Sequence, residues 1–281
     1  MNNSEKQKGQ VYIIPSPIGD TPPLEVLPIS IKKVIDQLNY FIVENEKIGR
    51  RFIKKITPNK NQDELIISTF NKFTSKENLS SYLDPCLNGV SIGILSDSGC
   101  PGIADPGAEI ISLAHKFGVK VKPLIGPSSI ILAMMSSGMN GQNFSFNGYL
   151  PIDDKNRTKE ILKYQRISLK ENQTQIFIET PYRTDKLFIE MLKVLDASTL
   201  LCIACDLSLN NEFIKTLPIA IWKKKKNRGP LSVPPALAAL PCSTVHTLGS
   251  FFPLLRFGFC PFLLPPGSGT KAIARIKGPS A

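Results

Sequence analysis

The chain has 281 residues, 42% of them hydrophobic and 20% charged, which suits one large or two ordinary domains with a substantial core. Its formal charge of +11 invites a nucleic-acid reading, but residues 223–281 hold nine Lys/Arg and no carboxylate. Residues 1–222 then carry 25 basic against 23 acidic residues, so the charge is no evidence for a basic face on the folded body.

In chain order, MNNSEKQKGQ (1–10) is polar and is expected to be a disordered terminus. VYII (11–14) is too short for a signal-peptide core and reads as a buried strand. It runs into the Pro/Gly loop PSPIGD, after which a helix is expected over 28–38 and a second strand at YFIVEN (40–45). EKIGRRFIKKI reads as a helix with a charged face, ELIISTF (64–70) as a third strand, and 76–83 as a further helix. The strand SIGIL (91–95) then delivers ILSDSGCPGIADPG (94–107), which places three glycines, two prolines and two aspartates before a helical pattern. An ordinary connection needs a few residues and one turn-former, so this segment is shaped, and a ligand site is the reason to shape it. Asp105 occupies an expected N-cap, with Pro106 at the first helical position and Gly118 just past the helix end. VKVKPLI (119–125) is the next strand.

A second unit begins near Gly126. GPSS leads into a helix over 130–138, followed by a strand and its exit at FSFNGYLP, then helix, strand (QIFIET), helix and strand (TLLCIACDL). EFIKTLPIAIW is read as the possible start of a hairpin. Strands alternating with helices indicate an α/β protein with a mostly parallel sheet. Cys202 and Cys205 form a C-x-x-C inside a strand, where that spacing points the side chains to opposite faces, so neither a shared metal nor any other metal site is expected. In a chain of this size the six cysteines suggest no disulfide framework. From Lys223 the character changes, with four lysines followed by a Pro-rich stretch lacking sustained periodicity. Residues 223–281 are expected to be a disordered or frame-altered tail. Its apolar stretch 251–266 is broken by Arg256 and four prolines and makes a poor membrane span, so a cytoplasmic protein is expected. The domain boundaries follow as 11–125 and 126–222.

Three Gly/Pro loops (15–20, 96–107 and 125–129) each follow an apolar strand, which in α/β sheets is where ligands bind. None is a dinucleotide fingerprint or a phosphate loop. The set VYIIPSPIGD, SDSGCPGIADPG, PLIGPSSIILAMMSSG, GYLP and FIETPYR closely resembles the tetrapyrrole methylase superfamily of S-adenosylmethionine-dependent methyltransferases. Within it the match is to the ribosomal RNA small subunit methyltransferase I branch, over roughly residues 11–215. The resemblance implies two α/β domains, a mostly parallel N-terminal sheet and a mixed C-terminal sheet, with the cofactor in the cleft between them. It also implies a homodimer and an RNA substrate methylated on a ribose 2′ oxygen. Carried over by position, Ile18, Gly99, Cys100, Pro101, Ile103, Ser128, Ser129, Ile178 and Ala204 would contact S-adenosylmethionine. Simple core packing is an equal reading for Ile18, Ile178 and Ala204.

The branch's acidic E-D-T-R after the second strand is here ENEKIGRR (44–51), and Cys100 replaces a Thr, which puts the acceptor in doubt more than the cofactor. Glu179, Glu44 and Asp97, each at a strand end, are the candidates for a general base, with salt bridge or loop cap as the alternative for each. Arg183 and the cluster containing Arg50 and Arg51 are candidates for RNA phosphates, although a solvated helix face is the commoner meaning of such a cluster. A methyltransferase with another acceptor, or an inactive binding protein that kept the cleft, are the competing readings.

Overall fold

The computed structural model describes residues 7–75 and 79–226, and the backbone of 244–249. The first sheet has the order β3-β2-β4-β1-β5, built from β1 (Gln10–Ile14), β2 (Tyr40–Val43), β3 (Ile66–Thr69), β4 (Ile92–Leu95) and β5 (Lys120–Pro123). Every pairing in it is parallel, so all five carboxyl ends lie along one edge. The chain leaves β1 across β4 to reach β2, and leaves β4 across β1 to reach β5. These departures in opposite directions open a crevice between the ends of β1 and β4.

Helices cover both faces. On one, α2 (Ile29–Gln37) and α3 (Glu46–Ile56) pack Ile31, Ile35, Phe52, Ile53 and Ile56 against Ile14, Phe41, Val43 and Leu95. The short α1 (Pro23–Val26) precedes them. On the other, α5 (Ala108–Lys116) packs Ile110 and Ala114 against Val11, Ile42, Ile92 and Ile94. The apolar positions of α3 recur at helical spacing, and Asn45 caps it by accepting from the N–H groups of Lys47 (3.0 Å) and Ile48 (3.3 Å).

Two local expectations need correction. Helix α5 starts at Ala108, so Asp105 is not its N-cap; Gly107 at φ +124° makes the turn into the helix, a conformation only glycine adopts freely. Instead of one helix over 76–83, a 3₁₀ turn at Leu79–Leu83 runs into α4 (Asp84–Leu87), while 76–78 lie outside the described residues.

The second sheet has the order β6-β7-β10-β8-β9, from β6 (Phe144–Phe146), β7 (Thr174–Glu179), β8 (Leu200–Cys205), β9 (Phe213–Pro218) and β10 (Thr244–Gly249). It is mixed: β6 and β7 are parallel, β10 runs antiparallel to both neighbours, and β8–β9 is the hairpin. Helices α7 (Asp154–Glu171), α8 (Pro181–Val194) and α9 (Ile219–Lys226) cover one face, with Phe188 and Trp222 edge to face at its centre. Helix α6 (Ser129–Ser137) packs on the other through Ile130, Ala133 and Met134. The sequence reading found no ordered element after Trp222, yet α9 continues to Lys226 and β10 sits between β7 and β8. Thr-Val-His-Thr-Leu-Gly lacks clean alternation and is flanked by proline-rich sequence, so periodicity alone does not mark it. The rest of that segment lies outside the described residues. No helix among the described residues is long and apolar enough to cross a membrane.

Candidate active site at the carboxyl edge of the parallel sheet

The three Gly/Pro loops meet at the crevice between β1 and β4. Ser16 and Gly99 form a two-bond bridge, with Ser16 N–H to Gly99 O at 2.9 Å and the reverse at 3.2 Å. Ser16 Oγ donates to Ser96 O (3.1 Å) and Ser98 Oγ to Ile18 O (2.9 Å), so the first two loops are stitched together by hydroxyls as well as backbone. The third loop joins both. Cys100 Sγ lies 3.2 Å from Pro127 O, and Gly126 lies so close to Pro15 that a Cβ on it would stand 2.2 Å from the proline Cβ. That contact admits only glycine.

Beside this junction a cleft of about 610 Å³ runs along the carboxyl edge of the sheet. Ile18 comes to it from the β1 loop, Glu44 and Asn45 from β2, Asn71–Phe73 from β3, Asp97 to Pro106 from β4 except Pro101 and Gly102, and Ser128 and Ser129 from β5. Ile130, Tyr149 and Ile178 come from the elements of the second sheet. The volume suits a ligand of nucleoside size. A smaller cavity of about 70 Å³ lies between the first loop and α3 and is lined by Arg51 and Lys55, the latter paired with Asp20.

Three carboxylates share the cleft. Glu44 Oε1 accepts the N–H of Asp97 at 3.3 Å. Burial, and then the charges of Asp105 and Asp97, push its carboxyl up to about 7. Burial followed by Asp97 pushes Asp105 up to about 6, and burial raises Asp97 as well. The same desolvation, with Asp105, raises the Cys100 thiol and the Tyr149 phenol.

Of the residues singled out in the sequence, Ile18, Gly99, Cys100, Ile103, Ser128, Ser129 and Ile178 line the cleft, as do Glu44 and Asp97. Pro101 is buried beneath its loop, and Ala204 packs with Ile130 and Ile176 under the floor. Glu179 does not face the cleft. Neighbouring strand residues point to opposite faces, so Ile178 in the cleft puts Glu179 on the far side. There it is 0% exposed, accepts the N–H of Thr180 at 2.8 Å and pairs with Arg183 at 3.1 Å.

Arg183 is therefore committed inside the protein: its Nη2 also donates to Leu150 O (3.1 Å) and Pro151 O (3.4 Å), which ties the Gly148–Pro151 loop to α8. The buried Arg157 holds the next stretch, donating to Ile152 O at 2.8 Å while pairing with Glu190 and Asp154. Arg50 is likewise engaged, with Glu46 (2.8 Å) and Gln62 O (2.9 Å), whereas Arg51 is exposed on α3. Sequence reasoning missed Asp105, assigned to a cap, Asn71–Phe73, which follow a strand end without glycine-rich punctuation, and Tyr149, which stands in the GYLP motif but was given no role. Among the described residues no group of His, Cys, Asp or Glu converges as a metal site, and no disulfide joins any of Cys86, Cys100, Cys202 and Cys205.

No protein-family profile matches the chain. It is 31% identical over 212 residues to the ribosomal RNA small subunit methyltransferase I of Vibrio cholerae, spanning 75% of this chain and 69% of that one. The Thermotoga maritima protein of the same name is 28% identical over 228 residues, 80% of this chain and 97% of the relative. Among solved structures, the methyltransferase CobJ superposes with a TM-score of 0.55 at 13% identity, over 86% of this chain and 94% of that one. The cobalt precorrin-4 methyltransferase CbiF does so with a TM-score of 0.52 at 14% identity, over 85% and 94%. At those identities the superpositions speak for the fold alone. With that fold, and with sequence similarity across three quarters of its length, the chain belongs to the ribosomal RNA small subunit methyltransferase I family.

Proposed function

We propose that the chain transfers a methyl group from S-adenosylmethionine to a ribose hydroxyl of small-subunit ribosomal RNA. The observation that carries the reading is the cleft itself, where three interlocked strand-end loops border a nucleoside-sized hollow containing Glu44, Asp97 and Asp105. The residues fit the donor, which has two cationic centres and no phosphate, because the cleft offers carboxylates and is bordered by no phosphate loop. When bound, the donor supplies a methyl group activated by its sulfonium. Ile18, Gly99, Cys100, Ile103, Ser128, Ser129 and Ile178 would hold it, with Pro101 and Ala204 supporting them from behind.

The chain's own contribution is positioning and proton removal. Holding an acceptor oxygen in line with the methyl group is worth up to ~7–11 kcal/mol in well-oriented systems. A ribose hydroxyl also needs a base, and Glu44 takes this role: its carboxyl is pushed up to about 7 and is oriented by the Asp97 N–H. Asp97 and Asp105 keep the cleft negative around the sulfonium. The reading includes a homodimer acting in the cytoplasm.

Calorimetry with S-adenosylhomocysteine tests the donor site, and radiolabelled methyl transfer to small ribosomal subunits tests the acceptor. Binding together with labelled RNA is the expected result. A folded protein that binds no S-adenosylhomocysteine overturns the donor assignment; label on protein or small molecules with RNA unlabelled overturns the acceptor.

A further inference from the structure

Phe73 is 84% exposed, the most exposed large apolar side chain among the described residues, yet it stands at the rim of the cleft and its backbone is held firmly. Its N–H donates to Asn71 Oδ1 (3.0 Å), Asn71 N–H donates to Thr74 Oγ1 (2.9 Å), and Thr74 N–H donates to Asn71 O (3.0 Å). Asn71 Nδ2 reaches Glu44 O at 3.4 Å, so this turn is tied to the strand end that carries the base. Lys72 Nζ lies 5.0 Å from the Phe73 ring centroid and borders the same cleft. An isolated exposed phenylalanine needs no explanation. This one combines a fixed backbone, a flanking cation and a place on the border of the cleft that holds Glu44, Asp97 and Asp105.

We propose that Phe73 and Lys72 form the acceptor platform, with the ring stacking on an unpaired base of the RNA and the ammonium meeting its phosphate. Proteins that act on single-stranded RNA splay bases onto aromatic side chains and track the backbone with cations. A base seated on Phe73 brings its nucleotide over the cleft mouth, toward Glu44. The inference rests on the RNA reading above and adds the side chains that select the acceptor.

The test compares wild type with Phe73→Ala, Phe73→Trp and Lys72→Ala, measuring S-adenosylhomocysteine binding and methylation of small ribosomal subunits. Phe73→Ala is expected to raise KM for RNA about five- to 150-fold, with S-adenosylhomocysteine binding unchanged. Phe73→Trp restores the wild-type KM, and Lys72→Ala lowers the slope of log affinity against log salt by about 1. At so exposed a position neither Phe73 variant alters the melting temperature. Wild type that labels RNA, together with Phe73→Ala whose KM stays within about two-fold, overturns the platform alone. Equal loss of S-adenosylhomocysteine and RNA binding also overturns it, by moving Phe73 to the donor site. Wild type that binds S-adenosylhomocysteine but labels no RNA overturns the acceptor reading and the platform with it.

Discussion

Glu44 carries two linked consequences at the scale of single residues. Its carboxyl is raised by burial and by Asp105 and Asp97, so the fold keeps it protonated where the unfolded chain would release the proton. Such a group removes stability as pH climbs from the ordinary carboxylate range to about 7, and Asp105 does the same up to about 6. The melting temperature is therefore expected to fall between about pH 5 and pH 7 through these groups, and Glu44→Gln to flatten the slope. A steeper slope in the variant contradicts the assignment. Methylation by wild type should rise through the same range, and Glu44→Gln should lower kcat by about 10²–10⁴-fold with S-adenosylhomocysteine still bound. Arg183 shows the opposite kind of role. Removing it leaves Glu179 buried without its countercharge, so Arg183→Ala is expected to cost about 3–5 kcal/mol in a denaturant melt. The exposed Arg51→Ala should cost no more than about 0.5 kcal/mol. Similar costs for the two would show that Arg183 is not the strut described here.

Among the elements, the three loops act as one part because they are keyed to each other. Gly126→Ala drives a Cβ into Pro15 and should destabilise the protein by about 1–3 kcal/mol, while weakening S-adenosylhomocysteine binding. A variant with wild-type melt and affinity would mean the loops separate without consequence. These loops were legible in the sequence because Gly/Pro punctuation is a local signal, and the parallel sheet because its strands are apolar runs between helical patterns. What surrounds them was harder to read. Asp105-Pro106 satisfies the rule for a helix start, but an Asp-Pro pair suits a turn equally, and the left-handed Gly107 follows it. Ile178 and Glu179 were both assigned to the cleft, although strand alternation permits only one of them to face it. Phe73 reaches the cleft through tertiary packing that no local pattern encodes, and Tyr149 stands in a marked motif whose wording does not say which side chain faces the ligand.

Across the molecule, the first sheet closes within residues 10–123, whereas the second depends on a strand from near the end of the described chain. A chain ending at Lys226 loses β10, leaving β7 and β8 with unpaired backbone edges where each had a partner. It is expected to lose the cooperative melt of the second sheet and to aggregate, while a chain ending at Phe251, two residues past β10, keeps both melt and S-adenosylhomocysteine binding. Equal behaviour of the two truncations would mean that β10 adds nothing to the sheet. The resemblance read from residues 11–215 thus reached the fold and most of the residues that line the cleft, but not the strand that completes the second sheet. The order of synthesis gives that strand a further meaning. As the nascent polypeptide leaves the ribosome its amino-terminal half can mature at once, but the other half stays open, with two raw β margins, until its late-emerging keystone arrives.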